Sequence, residues 1–235
     1  RNIKISQGLL TEQLEERLSA ILGTQHVIMV TSGSMALVVA LMALDIGVGD
    51  EVIIPDRTWI ATAHAVLQVG ATPKIIDIEP ERPVIDIEKI EKAINKKTKA
   101  IIPVHMNGRS VEMQKLLDIA DHADIKVIED AAQALLSKHN GKYLGTYGKI
   151  GCFSLSMAKL ITTGQGGFLT TSCHHLNQKI RRIRTHGLDT VYNPSSWGIL
   201  GGNFRYTDLQ ASIGLNQLRS LQRKISHCKL IYNTY

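Results

Sequence analysis

The chain has 235 residues (25.9 kDa), of which 44% are hydrophobic and 20% charged. That balance suits a globular protein with one large core or two modest ones, and it excludes a disordered tail, a collagen-like fibre and a disulfide mini-protein. The net charge is +6, yet the basic residues are dispersed except in KIRRIR (Lys179 to Arg184) and KKTK (Lys96 to Lys99), and only 5% of residues are aromatic. A nucleic-acid groove is therefore not expected; a solvated surface, or a site for small phosphorylated ligands, is.

The longest apolar run, Met35 to Leu44, is ten residues, about half of the roughly 20 needed to cross a bilayer. The opening RNIKISQGLLTEQLEER has no continuous apolar stretch of signal-peptide type. Cys152, Cys173 and Cys228 show no paired spacing. The expectation is a reduced, cytoplasmic protein without a membrane partner.

Along the chain, short β-branched runs alternate with stretches of helical period. Strands are expected at 26–30, 51–55, 74–78, 100–104, 125–130, 152–156 and 167–171, and helices at 34–46, 58–68, 87–94, 110–122 and 174–186. Several strands are apolar at nearly every position, as strands covered on both faces are. The fold class is α/β: one domain over 1–235, three-layered, with a mostly parallel seven-stranded sheet. A last helix is expected over 208–229, opened by the capping-box pattern Thr207-Asp208-Leu209-Gln210. Before it, Gly198, Gly201 and Gly202 lie in an irregular loop where backbone could approach a ligand or another chain closely.

Ligands of open α/β sheets sit beyond the carboxyl ends of the strands. After 26–30 comes TSGSMAL, where Gly33 and Ser34 open a helix whose amides and dipole favour an anion such as phosphate, or simply make a serine-capped turn. After 51–55 comes Trp59, a core residue or a cover for a planar ring. Glu129-Asp130 ends another strand, either capping the next turn or holding a carboxylate for a buried cation. After 152–156 comes Lys159, which shares this edge with Gly33, Trp59 and Asp130. Most lysines are solvated. A lysine amine, an acid for a pyridinium nitrogen, a stacking aromatic and a phosphate-binding helix start nevertheless make up the parts needed to hold pyridoxal phosphate.

Competing motifs fail. GQGG (164–167) is not G-x-G-x-x-G, and Gly148-Lys149 is followed by Ile150, not by Ser or Thr. Cys173-His174-His175 lacks a partner pair with metal-ligand spacing and reads as the start of a helix, so no metal is expected.

The motifs TSGSMAL, GVGDEVIIPDRTWIATAHAV, GATPKIIDI, KAIIPVHMNG, VIEDAAQA, GKIGCFSLSMAKLITTGQGGFLTT, RTHG and GGNFRYTDLQASIG together resemble the DegT/DnrJ/EryC1/StrS sugar aminotransferases, pyridoxal-phosphate enzymes of the aspartate-aminotransferase fold. The resemblance implies that Lys159 is the Schiff-base lysine and acid/base, Asp130 the partner of the pyridinium nitrogen, Gln133 the partner of the ring hydroxyl and Trp59 the stacking aromatic. It implies phosphate contacts from Gly33, Ser34, the Met35 amide and Ser154, and from Asn203 reaching into the other subunit of a homodimer.

The implied reaction is transamination from an amino acid, usually glutamate, to a keto group on a nucleotide-linked sugar, for surface polysaccharide or a secondary metabolite. Lysine at 159, where some relatives carry histidine and act as dehydratases, favours the aminotransferase. An aminotransferase of a cyclitol or aminobenzoate-type precursor, and a truncated module that binds cofactor or dimerises without catalysis, are the alternatives. The chain departs from the family pattern at Asn107, Gln165 and Tyr206. The family continues into a smaller C-terminal domain, so 208–229 is expected to be a connecting helix and Arg1 and Tyr235 the ends of a fragment.

Overall fold

The computed structural model describes residues 6–189 and 193–234, which leaves Arg1 and Tyr235 outside the described residues. In chain order the elements are α1 (Leu9–Leu22), β1 (His26–Val30), α2 (Gly33–Ala43), β2 (Glu51–Pro55), α3 (Ala61–Gln68), β3 (Thr72–Ile76), α4 (Ile87–Ala93) and β4 (Thr98–Ile101). There follow α5 (Met113–His122), β5 (Lys126–Asp130), the short pair β6 (Lys138–His139) and β7 (Lys142–Tyr143), β8 (Ile150–Ser154) and β9 (Gly167–Thr171). Last come α6 (His174–Arg184), the pair β10 (Leu188–Asp189) and β11 (Asn193–Trp197), α7 (Asp208–Arg219) and α8 (Leu221–Thr234).

Seven strands form one sheet in the order β1-β9-β8-β5-β4-β2-β3. The pairings among β3, β2, β4, β5 and β8 are parallel; β9 runs antiparallel between β8 and β1. The apolar strands are explained by what covers them. On one face Ile28, Val30, Ile54 and Ile128 pack with the helices α2 and α6, while on the other Val27, Met29, Ile53 and Val127 pack with α1, α4 and α5. Successive residues of a strand point to opposite faces, so a strand buried on both sides has no polar positions to alternate with. The expected three-layer α/β fold is what forms.

Several boundaries differ from the expectation. β3 lies at 72–76 and β8 at 150–154, each two residues earlier than expected, because Ile78 leaves the sheet to bridge Ile85 and the chain after Ser154 folds back to Gly166. β4 covers 98–101, and beyond it Val104 makes a single bridge to Asp130. α1 was not anticipated; its apolar spacing Leu14, Leu18, Leu22 buries one face against β1 and α7. The expected helix 208–229 is two helices meeting at Ser220. Its capping box is present, with both reciprocal Thr207–Gln210 bonds.

KIRRIR, dense in sequence, is not a wholly solvated stretch, since Arg184 is buried. The Arg181 and Arg184 guanidiniums donate to Glu15 at 2.7 and 3.0 Å, and Glu15 also accepts from the Met29 amide at 2.9 Å. Burial pushes the Arg184 guanidinium down to about 10 against the upward pull of Glu15. This network ties α1, β1 and α6 together beneath the sheet edge that carries the site.

Candidate active site

Topology collects the candidate residues at one edge. β2, β5 and β8 run parallel and end at Pro55, Asp130 and Ser154. Because β9 is antiparallel to both β8 and β1, its first residue Gly167 lies beside Ser154 and beside Val30, the end of β1. The segments after β1, β2, β5 and β8 therefore emerge together, although they are far apart in sequence.

Asp130 is 6% exposed. Its Oδ2 accepts from the Thr62 hydroxyl at 2.8 Å and its Oδ1 from the Ala132 amide at 3.2 Å. Thr62 lies in the first turn of α3 and is itself 2.8 Å from the Thr58 hydroxyl. Burial pushes the Asp130 carboxyl above its ordinary range, while the bonds from Thr62 and Ala132 and the electrostatic influence of His105 and Lys159 pull the other way.

The capping reading of Glu129-Asp130 applies to both acids, since Asp130 takes the Ala132 amide of the next turn, but Glu129 has no part in the site. Glu129, 0% exposed, holds the 145–148 turn: it accepts from the amides of Gly145, Tyr147 and Gly148 at 2.6–2.7 Å. Asp130, on the opposite side of the strand, faces the site. A strand's alternation separates the two roles.

Lys159 follows the turn in which its amide donates to the Ser156 carbonyl at 3.1 Å. Its half-buried amine has no hydrogen-bond or ion-pair partner among the described residues, though it lies within electrostatic reach of Asp130. It lines a cleft of about 380 Å³ with Ser154, Gln133, Ala132 and Asn107. Gln133 is exposed, and its Oε1 accepts from the Asn107 amide at 3.1 Å. Asn107 adopts φ +52° in a tight turn, a conformation asparagine tolerates better than a bulky aromatic.

The helix start after β1 meets Ser154 directly. A Cβ on Gly33 would come within 2.8 Å of the Ser154 Cβ, so only glycine lets the two segments approach this closely. Ser32 caps α2 and takes the Met35 amide at 3.1 Å. The amides of Gly33 and Ser34 precede the first intrahelical bond, from Ala36 to the Ser32 carbonyl, and remain the ones oriented for an anion.

Trp59 is 74% exposed, which removes the core reading and leaves its ring available at the site edge. Asn203 is exposed too, on a loop held by the Thr185–Asn203 bridge. The glycines flanking it serve this chain's own packing: a Cβ on Gly201 would strike the Gly187 amide, and one on Gly202 the Phe204 ring. At the other departures, the Gln165 carbonyl accepts from Gln210 at 2.8 Å, and Tyr206 is buried against Gly166.

Sequence reasoning missed Thr58 and Thr62 as parts of the site. The spacing of Thr58 and Thr62 was visible within one turn, but nothing local says which way it faces.

The residues fit a phosphorylated pyridine cofactor: a buried carboxyl, an unpartnered amine, an exposed indole and free helix-start amides share one edge. Comparison with known proteins agrees. The chain is 38% identical over 231 residues to GDP-perosamine synthase of Caulobacter vibrioides, covering 98% of this chain and 62% of that protein. It is 43% identical over 201 residues to the UDP-N-acetyl-3-dehydro-alpha-D-glucosamine 3-aminotransferase of Acidithiobacillus ferrooxidans, covering 85% and 54%. The PLP form of Spr1654 from Streptococcus pneumoniae superposes with a TM-score of 0.88 at 29% identity, over 95% of this chain and 62% of that one. The chain thus spans less than two thirds of these relatives' lengths. Residues 1–235 match the description DegT/DnrJ/EryC1/StrS aminotransferase family throughout, and the chain belongs to that family.

Proposed function

We propose that this chain is the cofactor-binding part of a pyridoxal-phosphate-dependent aminotransferase that transfers an amino group from an amino acid, glutamate being the expected donor, to a nucleotide-linked keto-sugar. The observation that carries the reading is the placement of buried Asp130 and of a Lys159 amine without a bonded partner at the same sheet edge, within electrostatic reach of one another. The two named relatives, one for a GDP-sugar and one for a UDP-sugar, support the substrate class.

When bound, the cofactor supplies an electron sink and a carbonyl for imine exchange. Asp130 would hold a proton on the ring nitrogen, and Thr62 and Ala132 fix its orientation. Lys159 would bind the cofactor and, once released, move a proton at its Nζ. Gln133 would donate to the ring hydroxyl and Trp59 cover one ring face. Gly33, Ser34, Met35 and Ser154 would surround the phosphate. The Met35 amide would have to be shared with the Ser32 hydroxyl, so the Gly33 and Ser34 amides carry more of that contact.

Exposed Asn203 would complete the site of a second copy, making a homodimer, in a reducing cytoplasmic compartment where Cys152, Cys173 and Cys228 stay free. The test is borohydride reduction with pyridoxal phosphate followed by peptide mapping, with a parallel screen of nucleotide keto-sugars and glutamate. Cofactor trapped on Lys159 and amino-sugar formation are expected. Trapping on another lysine refutes the site, and trapping on Lys159 with no turnover of any keto-sugar leaves a cofactor-binding module.

A further inference from the structure

The hydroxyl of Thr58 stands one step behind the site. Thr58 is half-buried on the turn between β2 and α3, next to Trp59. Its Oγ1 lies 2.8 Å from the Thr62 hydroxyl, which in turn lies 2.8 Å from Oδ2 of Asp130. Oxygens from two distant segments thus form one hydrogen-bonded row that ends on the buried acid.

The direction of the row follows from counting hydrogens. An ionised carboxyl only accepts, and a threonine hydroxyl has one hydrogen to give. Thr62 gives its hydrogen to Asp130, so in the second bond Thr58 is the donor and the Thr62 oxygen the acceptor. Among the described residues the Thr58 hydrogen has one other acceptor in range, the Trp59 carbonyl at 3.4 Å. That contact is longer, and its oxygen already takes the Thr62 amide at 3.1 Å.

Helix capping does not account for the Thr58 hydroxyl. α3 begins without a side-chain cap, and its first turn is closed by the Thr62 amide on the Trp59 carbonyl and the His64 amide on the Ile60 carbonyl. What the hydroxyl decides is where Thr62 points. A helical threonine can turn its hydrogen back to the carbonyl three or four residues earlier, here Trp59 or Thr58. Donation from Thr58 favours the opposite direction, since hydrogen bonds in a row polarise one another and an accepting hydroxyl donates more strongly. The stake is high because a backbone amide, that of Ala132, holds Oδ1, and Thr62 is the only side-chain donor on this carboxyl among the described residues.

We propose that Thr58 is a positioning residue of the site: it commits the single Thr62 hydrogen to Asp130 and so holds the carboxyl aimed at the cofactor's ring nitrogen. This inference rests on the pyridoxal-phosphate reading above and extends it one residue outwards, to the turn that also carries Trp59.

The test uses the whole chain. Thr58→Val removes the hydroxyl and keeps the shape, Thr58→Ser restores a hydroxyl, and Thr58→Ala replaces the valine variant if that one does not fold. Without cofactor, carbon NMR of the Asp130 carboxyl should show its ionised-to-neutral ratio at fixed pH falling roughly 2- to 10-fold in the valine variant, the range for weakening one hydrogen bond, and recovering in the serine variant. With nitrogen-labelled pyridoxal phosphate bound, the ring-nitrogen signal should move towards the unprotonated position in the valine variant only. In an Asp130→Asn background Thr62 no longer donates to residue 130, so any loss of cofactor affinity caused by Thr58→Val should vanish there. A folded valine or alanine variant whose Asp130 titration and ring-nitrogen signal match the parent overturns the proposal, as does a serine variant that behaves like the valine one. A chain that binds no pyridoxal phosphate refutes the cofactor reading instead, while the cofactor-free titration still decides whether Thr58 acts on Asp130.

Discussion

Asp130→Asn separates the two reasons a carboxyl can be buried, because the hydrogen-bond pattern survives the change. The amide oxygen can keep the Ala132 bond, now 3.2 Å, and the new NH₂ can donate to Thr62, now 2.8 Å, while Thr62 turns its own hydroxyl towards Thr58 at 2.8 Å. Only the charge is lost. Burial raises the folded carboxyl above its ordinary value of 3.8, so Asp130 contributes stability that is complete below that value and is lost as pH rises through the raised one. The cofactor-free asparagine variant should therefore match the parent near pH 4 and melt at the same or a higher temperature near pH 8, values set by that titration window. Cofactor binding moves oppositely. A hydrogen bond to a charged group contributes about 1.5–3 kcal/mol, which at 1.36 kcal/mol per decade is a loss of roughly 10- to 150-fold in affinity for pyridoxal phosphate. Melting curves at the two pH values and a spectroscopic cofactor titration measure both effects. Cofactor affinity within twofold of the parent would show that Asp130 only secures the turn, and a lower melting point near pH 8 would show that its charge is not a burden.

Other substitutions test the scaffold. Gly33→Ala places a methyl 2.8 Å from the Ser154 Cβ and 3.2 Å from its Cα; overpacking of this kind costs about 1–3 kcal/mol, or roughly 2–12 °C in melting temperature for a chain of this size, and an unchanged melt would show that the two segments separate freely. Glu15→Ala leaves the Arg184 guanidinium buried without its partner, a change expected to cost about 3–5 kcal/mol in urea unfolding; a loss below about 1 kcal/mol would place that network among weak surface pairs. Glu129→Gln sets an NH₂ against amide donors that now reach two carboxylate oxygens, and should expose the 145–148 amides to faster hydrogen exchange. Burial raises the Asp208 carboxyl, but bonds from Thr11 and from the Leu10 and Gly8 amides outweigh it and bring it below 3.8; that stability is present above 3.8 and lost as pH falls through the lowered value, so Asp208→Asn should erase part of the acid-induced unfolding below about pH 4.

Most of the sheet was legible because burial on both faces leaves a strong local signature, and a run such as Val52-Ile53-Ile54 needs no distant information to be read as a strand. The misplacements fell where the pattern stops meaning what it usually does. The apolar continuation at Ile78 serves a lone bridge to Ile85, and Leu155 and Ser156 belong to the fold-back after β8. α1 was passed over because its apolar spacing is interrupted by charge, including Glu15, which is buried only because two arginines 166 and 169 residues away come to meet it.

The sequence by itself determined the α/β class, the strands that form the sheet, the helix cap at Thr207 and the chemical types gathered near the strand ends, since each rests on side-chain periodicity or on neighbours within a turn. Tertiary structure alone decided which acid of Glu129-Asp130 holds the 145–148 turn and which meets Thr62, that Ser32 holds the Met35 amide, that Trp59 stays exposed, and that the His105 amide bonds to the Asp130 carbonyl. The reason is reach. A strand's alternation makes two adjacent acids point apart, but only the distant segments folded against each side say what each one meets.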